Sequence, residues 1–144
     1  MRVDFYQLSR DPAEKVVPLI ARKVIGDGER LLVVVGDAGK RKAVAKALWE
    51  QDGAFLANGE ASRDHADRQP ILLSESCDPG NGARLVAIAD GAWRDEADDF
   101  ERVFLLFGEA ELDGARACWR MLGERDSVER HFWKQDGGKW VEGP

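Results

Sequence analysis

Apolar residues open the chain at Val3, Phe5, Tyr6 and Leu8, a short stretch that reads as a strand closed by Ser9 and Arg10. Asp11 stands where a helix cap belongs, and Pro12 takes the first helical position, where its missing N–H costs nothing. Val16, Val17, Leu19, Ile20 and Val24 then form a stripe at helical spacing that stops near Gly26 and Gly28. Residues 31–35 are apolar throughout. Such a run suits a parallel strand whose two faces are both covered by helices. Strand, helix, strand in that order opens a doubly wound α/β fold.

The same pattern continues. A second helix is predicted over 38–51, with Val44, Ala45, Leu48 and Trp49 inward and a stop at Asp52 and Gly53. Residues 54–57 suit a short strand. Residues 58–69, with Gly59, Ser62, Arg63, Asp64, His65, Ala66, Asp67 and Arg68, lack apolar periodicity and read as a solvated loop. Strands over 70–74 and 84–89 flank the turn-forming Asp78, Pro79, Gly80, Asn81 and Gly82. A polar linker over 90–98 leads to a buried strand at 103–107 and a helix at 109–122. The tail, 130–141, alternates around Gly137 and Gly138 and is expected to form a final strand or an ordered arm. No repeat or long linker divides the chain. The prediction is one α/β domain over 1–144, a three-layer sandwich around a mostly parallel sheet with Rossmann-like topology.

Composition narrows the function classes. The chain has 144 residues, 44% apolar and 33% charged, and no apolar run approaches the ~20 residues of a membrane span. Its first residues lack the basic start, apolar stretch and cleavage site of a secretory signal, so a cytoplasmic location is expected. Cys77, Cys118, His65 and His131 have no metal-ligand spacing, so neither metal nor cofactor is expected. A net charge of −6 argues against a duplex-DNA footprint over the whole surface. Any contact with nucleic acid should run through another protein or one local patch.

Gly36-Asp37-Ala38-Gly39-Lys40 lies between a strand and a helix, where a phosphate-binding loop would lie. Its spacing departs from that motif. A Walker A loop has four residues between its glycines and Ser or Thr after the lysine; here two intervene and Arg41 follows. An ordinary tight turn is the simpler reading, with a nucleotide-binding enzyme as the rival. Asp95, Glu96, Asp98 and Asp99 lack a calcium-loop pattern, and Ser74 and Ser76 sit in no nucleophile elbow. No catalytic system emerges.

The helix at 109–122 is more informative. Leu112, Ala115, Trp119 and Leu122 form its apolar stripe, and Arg116 and Arg120, four apart, project from one side beside it. An aromatic ring flanked by cations can hold an apolar ring while gripping a carboxylate. On spacing alone, arginines paired to Asp113, Glu109 or Glu124 on a solvated helix explain the pattern better. Trp93, Trp133 and Trp140 read as packing residues. Trp133 and Trp140 also flank Lys134 and Lys139, which keeps open a direct contact with a peptide or with single-stranded DNA.

In order along the chain, Val3-Asp4-Phe5-Tyr6-Gln7-Leu8, Ala47-Leu48-Trp49 before Phe55, Pro70-Ile71-Leu72-Leu73, Ala115-Arg116-Ala117-Cys118-Trp119-Arg120, Trp133-Lys134 and Gly138-Lys139-Trp140 resemble the chi subunit family of the DNA polymerase III clamp loader. The resemblance implies a non-catalytic α/β domain without a working nucleotide site. It implies two partners: the psi subunit of the clamp loader and the acidic C-terminal tail of single-stranded-DNA-binding protein. Nucleic acid would be reached only indirectly. The family's tail pocket falls on Arg116, Trp119 and Arg120, with an apolar wall near Leu106. Residues Met121, Leu122, Gly123 and Glu124 carry fewer basic groups than the family pattern. The psi-binding surface is expected near Trp49, Phe55 and Leu56.

Overall fold

The structure, a computed structural model, describes residues 1–143. Its strands are β1 (Arg2–Gln7), β2 (Leu31–Val34), β3 (Asn58–Glu60), β4 (Ile71–Ser74), β5 (Leu85–Ile88), β6 (Arg102–Phe107), β7 (Glu129–Asp136) and β8 (Lys139–Glu142). Its α-helices are α1 (Ala13–Gly26), α2 (Ala38–Trp49) and α3 (Leu112–Gly123). All eight strands join one sheet in the order β3-β4-β2-β5-β6-β1-β7-β8. Every pairing is parallel except β7 with β8. The molecule is therefore a single α/β domain of the Rossmann-like kind expected.

Alternation along each strand sends neighbouring side chains to opposite faces and makes two cores. On one face Val16, Val17, Val24, Val44 and Leu48 of α1 and α2 pack on Leu31, Val33, Ile71, Phe104 and Leu106. On the other, Ala115, Cys118 and Leu122 of α3 pack on Val3, Phe5, Leu105 and Phe107. Together these are the three layers.

Several local details differ from the sequence reading. Pro12, not Asp11, is the cap residue of α1 and offers no side-chain bond. Asp11 is engaged elsewhere, accepting from Gln135 Nε2 at 3.0 Å. Leu19 is 56% exposed, and Trp49 is 51% exposed rather than inward. Each lies one step round the helix from the buried stripe. The short strand predicted at 54–57 forms instead at β3, inside the segment read as a loop, and a 3-10 turn spans Ala66–Arg68. The linker over 90–98 likewise carries a 3-10 turn from Asp95 to Asp99.

The tail becomes the hairpin β7–β8. Gly137 and Gly138, with φ of 57° and 90°, occupy the two-residue turn, where left-handed backbone is needed to match the strand twist. This hairpin is tied to β1 by parallel pairing and by a buried carboxylate. Asp4, 0% exposed, accepts from Trp133 Nε1 at 3.0 Å, Arg102 Nε at 2.9 Å and Arg2 Nη2 at 3.1 Å. Among the described residues no helix is long and apolar enough to cross a membrane.

Candidate functional site

α3 packs over β6, β1 and β7, and beside the last residues of β6 and β1 it leaves a cavity of about 330 Å³ between helix and sheet. From the helix come Leu112, Ala115, Arg116, Trp119 and Arg120. From the sheet come Phe107, Gln7, Phe132 and Lys134. The lining thus includes three cations and no carboxylate, in a chain whose net charge is −6. Among the described residues neither Arg116 nor Arg120 forms an ion pair, so Asp113, Glu109 and Glu124 do not claim them.

Trp119 is the fixed centre of this cavity. Its ring meets Phe5 edge-on at 5.1 Å and Phe132 at 5.9 Å. The guanidinium of Arg130 covers it at 4.2 Å. Such contacts hold an aromatic side chain in one orientation, here on the border between core and solvent.

Leu106 does not belong to the cavity. It is fully buried on the opposite face, in register with Tyr6 and Trp133, whereas the next residue, Phe107, faces α3 and forms the wall. Trp133 and Trp140 also lie on that opposite face. Trp133 stacks on Tyr6 at 6.2 Å, and Trp140 meets the Tyr6 edge at 5.0 Å. Burial pushes the Tyr6 hydroxyl up to about 12, with Asp4 adding to the shift. Sequence reasoning missed Phe107, Phe132, Gln7 and Lys134 as lining residues; strand alternation read from an assigned register is the signal that finds them.

The residues named for a second surface separate. Trp49 and Phe55 meet at 5.6 Å in a T-shaped pair on the surface, Phe55 being 80% exposed. Leu56, beside them in sequence, is part of the core.

The loop at Gly36–Lys40 is held by two carboxylates, one its own and one from the segment after β5. Asp37 accepts from the Lys40 N–H at 2.9 Å, and Asp90 accepts from the Gly36 N–H at 2.9 Å. Two of the N–H donors a phosphate would use are thereby engaged by anions. Burial raises the Asp90 carboxyl, yet hydrogen bonds from Arg94, Gly36 and Ala92 outweigh it and hold the group below its ordinary value. Burial also raises the thiols of Cys77 to about 11 and Cys118 to about 12, so both stay protonated near neutrality. Among the described residues no cluster of His, Cys, Asp or Glu is arranged to hold a metal ion.

The family model described as DNA polymerase III chi subunit, HolC, matches residues 1–129. The chain belongs to that family. Membership makes it an accessory component of DNA polymerase III, with partners in the replisome. The matched part of this chi-family chain runs from β1 through α3 and includes Arg116, Trp119 and Arg120; Phe132 and Lys134 lie past it. No curated protein matches the chain.

Proposed function

We propose that this chi-family protein is a non-catalytic cytoplasmic adaptor that links the clamp loader, through psi, to the acidic C-terminal tail of single-stranded-DNA-binding protein. The observation that carries the reading is the α3 cavity: an apolar, aromatic hollow rimmed by cations without acidic partners. A peptide ending in a free carboxylate and an apolar ring complements both features. Arg116 takes the terminal carboxylate, the ring packs beside Trp119, and Arg120 attracts the acidic residues upstream. Phe107 takes over the role of apolar wall first assigned to Leu106.

For psi, the exposed aromatic pair Trp49–Phe55 is the docking surface, because large apolar side chains at a surface favour a protein partner. Leu56 supports it from the core. Single-stranded DNA is reached through its binding protein rather than directly.

Calorimetric titration with the tail peptide tests the pocket. Sheltered charge-assisted bonds contribute about 1.5–3 kcal/mol, so Arg116→Ala should weaken binding about tenfold or more. Unchanged affinity would overturn the assignment. Retrieval of clamp-loader subunits by the wild-type protein, and their loss in Phe55→Asp, tests the psi surface.

A further inference from the structure

The floor of the α3 cavity is a row of side chains from three adjacent strands. Phe107 of β6, Gln7 of β1 and Lys134 of β7 stand in register, and alternation points all three toward α3. Lys134 therefore faces the cavity from the sheet side, opposite the helix that carries Arg116 and Arg120. Its ammonium lies 5.7 Å from the centroid of Phe132, a ring that also lines the cavity. Among the described residues it forms no ion pair.

The helix runs out of cations early. After Arg120 come Met121, Leu122, Gly123 and Glu124, none of them basic. The positive charge on the far side of the cavity comes from the C-terminal hairpin.

Resting on the tail-binding reading above, we infer that Lys134 is a specificity-determining residue that selects peptides by the acidic residues preceding their terminal ring. Arg116 and the aromatic walls take the carboxylate and ring, which many peptides could offer. Lys134 and Arg120, from sheet and helix, flank the path by which the rest of the peptide leaves. An ammonium is a compact point charge without the planar fork of a guanidinium, so Lys134 discriminates by charge rather than by bidentate geometry. An acidic segment passing between the two is favoured; a neutral one gains nothing from Lys134.

Fluorescence anisotropy on the full chain tests this with two probes. One is a labelled acidic peptide with a free C-terminal phenylalanine, and the other is the same peptide with every aspartate replaced by asparagine. Lys134→Gln should weaken the acidic probe about threefold and leave the neutral probe unchanged, as expected for an exposed charge contact. Lys134→Arg should retain the preference. Equal weakening of both probes, or no effect on either while Arg116→Ala weakens both, would overturn the role of Lys134 and leave the pocket standing. Arg116→Ala without effect on either probe would overturn the pocket itself, and the inference with it.

Discussion

The guanidinium of Arg130 lies 4.2 Å from the centroid of the Trp119 ring, and its Nη1 donates to the Trp119 carbonyl at 2.7 Å. One side chain on β7 thus holds both the ring and the backbone of the residue at the centre of the α3 cavity. Truncation by Arg130→Met should cost about 2 kcal/mol of folding stability, the combined scale of a cation–π contact and a charged hydrogen bond. Urea unfolding reads that loss. Gly123 separates stability from positioning, because a Cβ there would come within 2.6 Å of Arg130 Nη1. Gly123→Ala improves helix propensity by up to about 1 kcal/mol while displacing the guanidinium. It should lower the unfolding midpoint less than Arg130→Met does and still weaken tail-peptide binding.

Asp4 should dominate the acid limb of stability. Burial raises its carboxyl, but hydrogen bonds from Arg2, Trp133 and Arg102 outweigh burial and hold it below the ordinary value. Its contribution is whole above the unfolded value of about 3.9 and is lost as pH falls through the depressed folded value. Asp4→Ala strands Arg102 and the Trp133 N–H and should cost about 3–5 kcal/mol. Acid titration followed by circular dichroism checks the pH dependence: Asp4→Asn should flatten the transition below about pH 4.

His131 should govern the opposite limb, locally. Its ring contacts Glu142 Oε2 of β8 at 2.5 Å and Glu129 Oε2 of its own strand at 2.7 Å. Arg2 of β1 is the cation nearby, 3.9 Å from Glu129. Hydrogen bonds to Glu142 and Glu129 raise the imidazole above its ordinary value. The stabilisation is therefore complete below about pH 6.5 and lost as pH rises through the raised folded value. Amide resonances of Val141 and Glu142 should shift over that range in wild type and remain flat in His131→Gln. An unaltered titration in the variant would show that another group is responsible.

Phe55 and Leu56 should respond unequally to alanine. Leu56 is buried, and its truncation should cost about 2–5 kcal/mol in urea unfolding. Phe55→Ala removes only a surface aromatic pair and should cost less than about 1 kcal/mol. The same variant should lose affinity for psi, which size-exclusion chromatography of the mixed proteins reads directly.

The central strands are legible in sequence because parallel strands covered on both faces become unbroken apolar runs, as at residues 31–35 and 103–107. The inner face of α3 is legible in part: of the stripe Leu112, Ala115, Trp119 and Leu122, Ala115 and Leu122 are buried, Leu112 and Trp119 partly so, and Cys118 joins them in the core. Which face a strand residue serves is not legible in such a run. Leu106 and Phe107 are equally apolar, and only the position of α3 over one face of β6 distinguishes them. β3 is Asn58, Gly59 and Glu60, residues with little strand preference, placed by pairing to β4 and by burial of Asn58. Arg130 could not be foreseen as the partner of Trp119, since the two lie on different elements.

Parallel pairing of β1 with β7 brings together strands more than a hundred residues apart in sequence. The ammonium of Met1 donates to the Ser127 carbonyl at 3.1 Å, and Gln135 Oε1 accepts from the N–H groups of Ser9, Arg10 and Asp11. The α3 cavity inherits this closure, with Gln7 supplied by the first strand and Phe132 and Lys134 by the seventh. A fragment ending at α3 therefore keeps the helix, its arginines, Gln7 and Phe107 but lacks Phe132 and Lys134, so the cavity stays open on the side of the seventh strand.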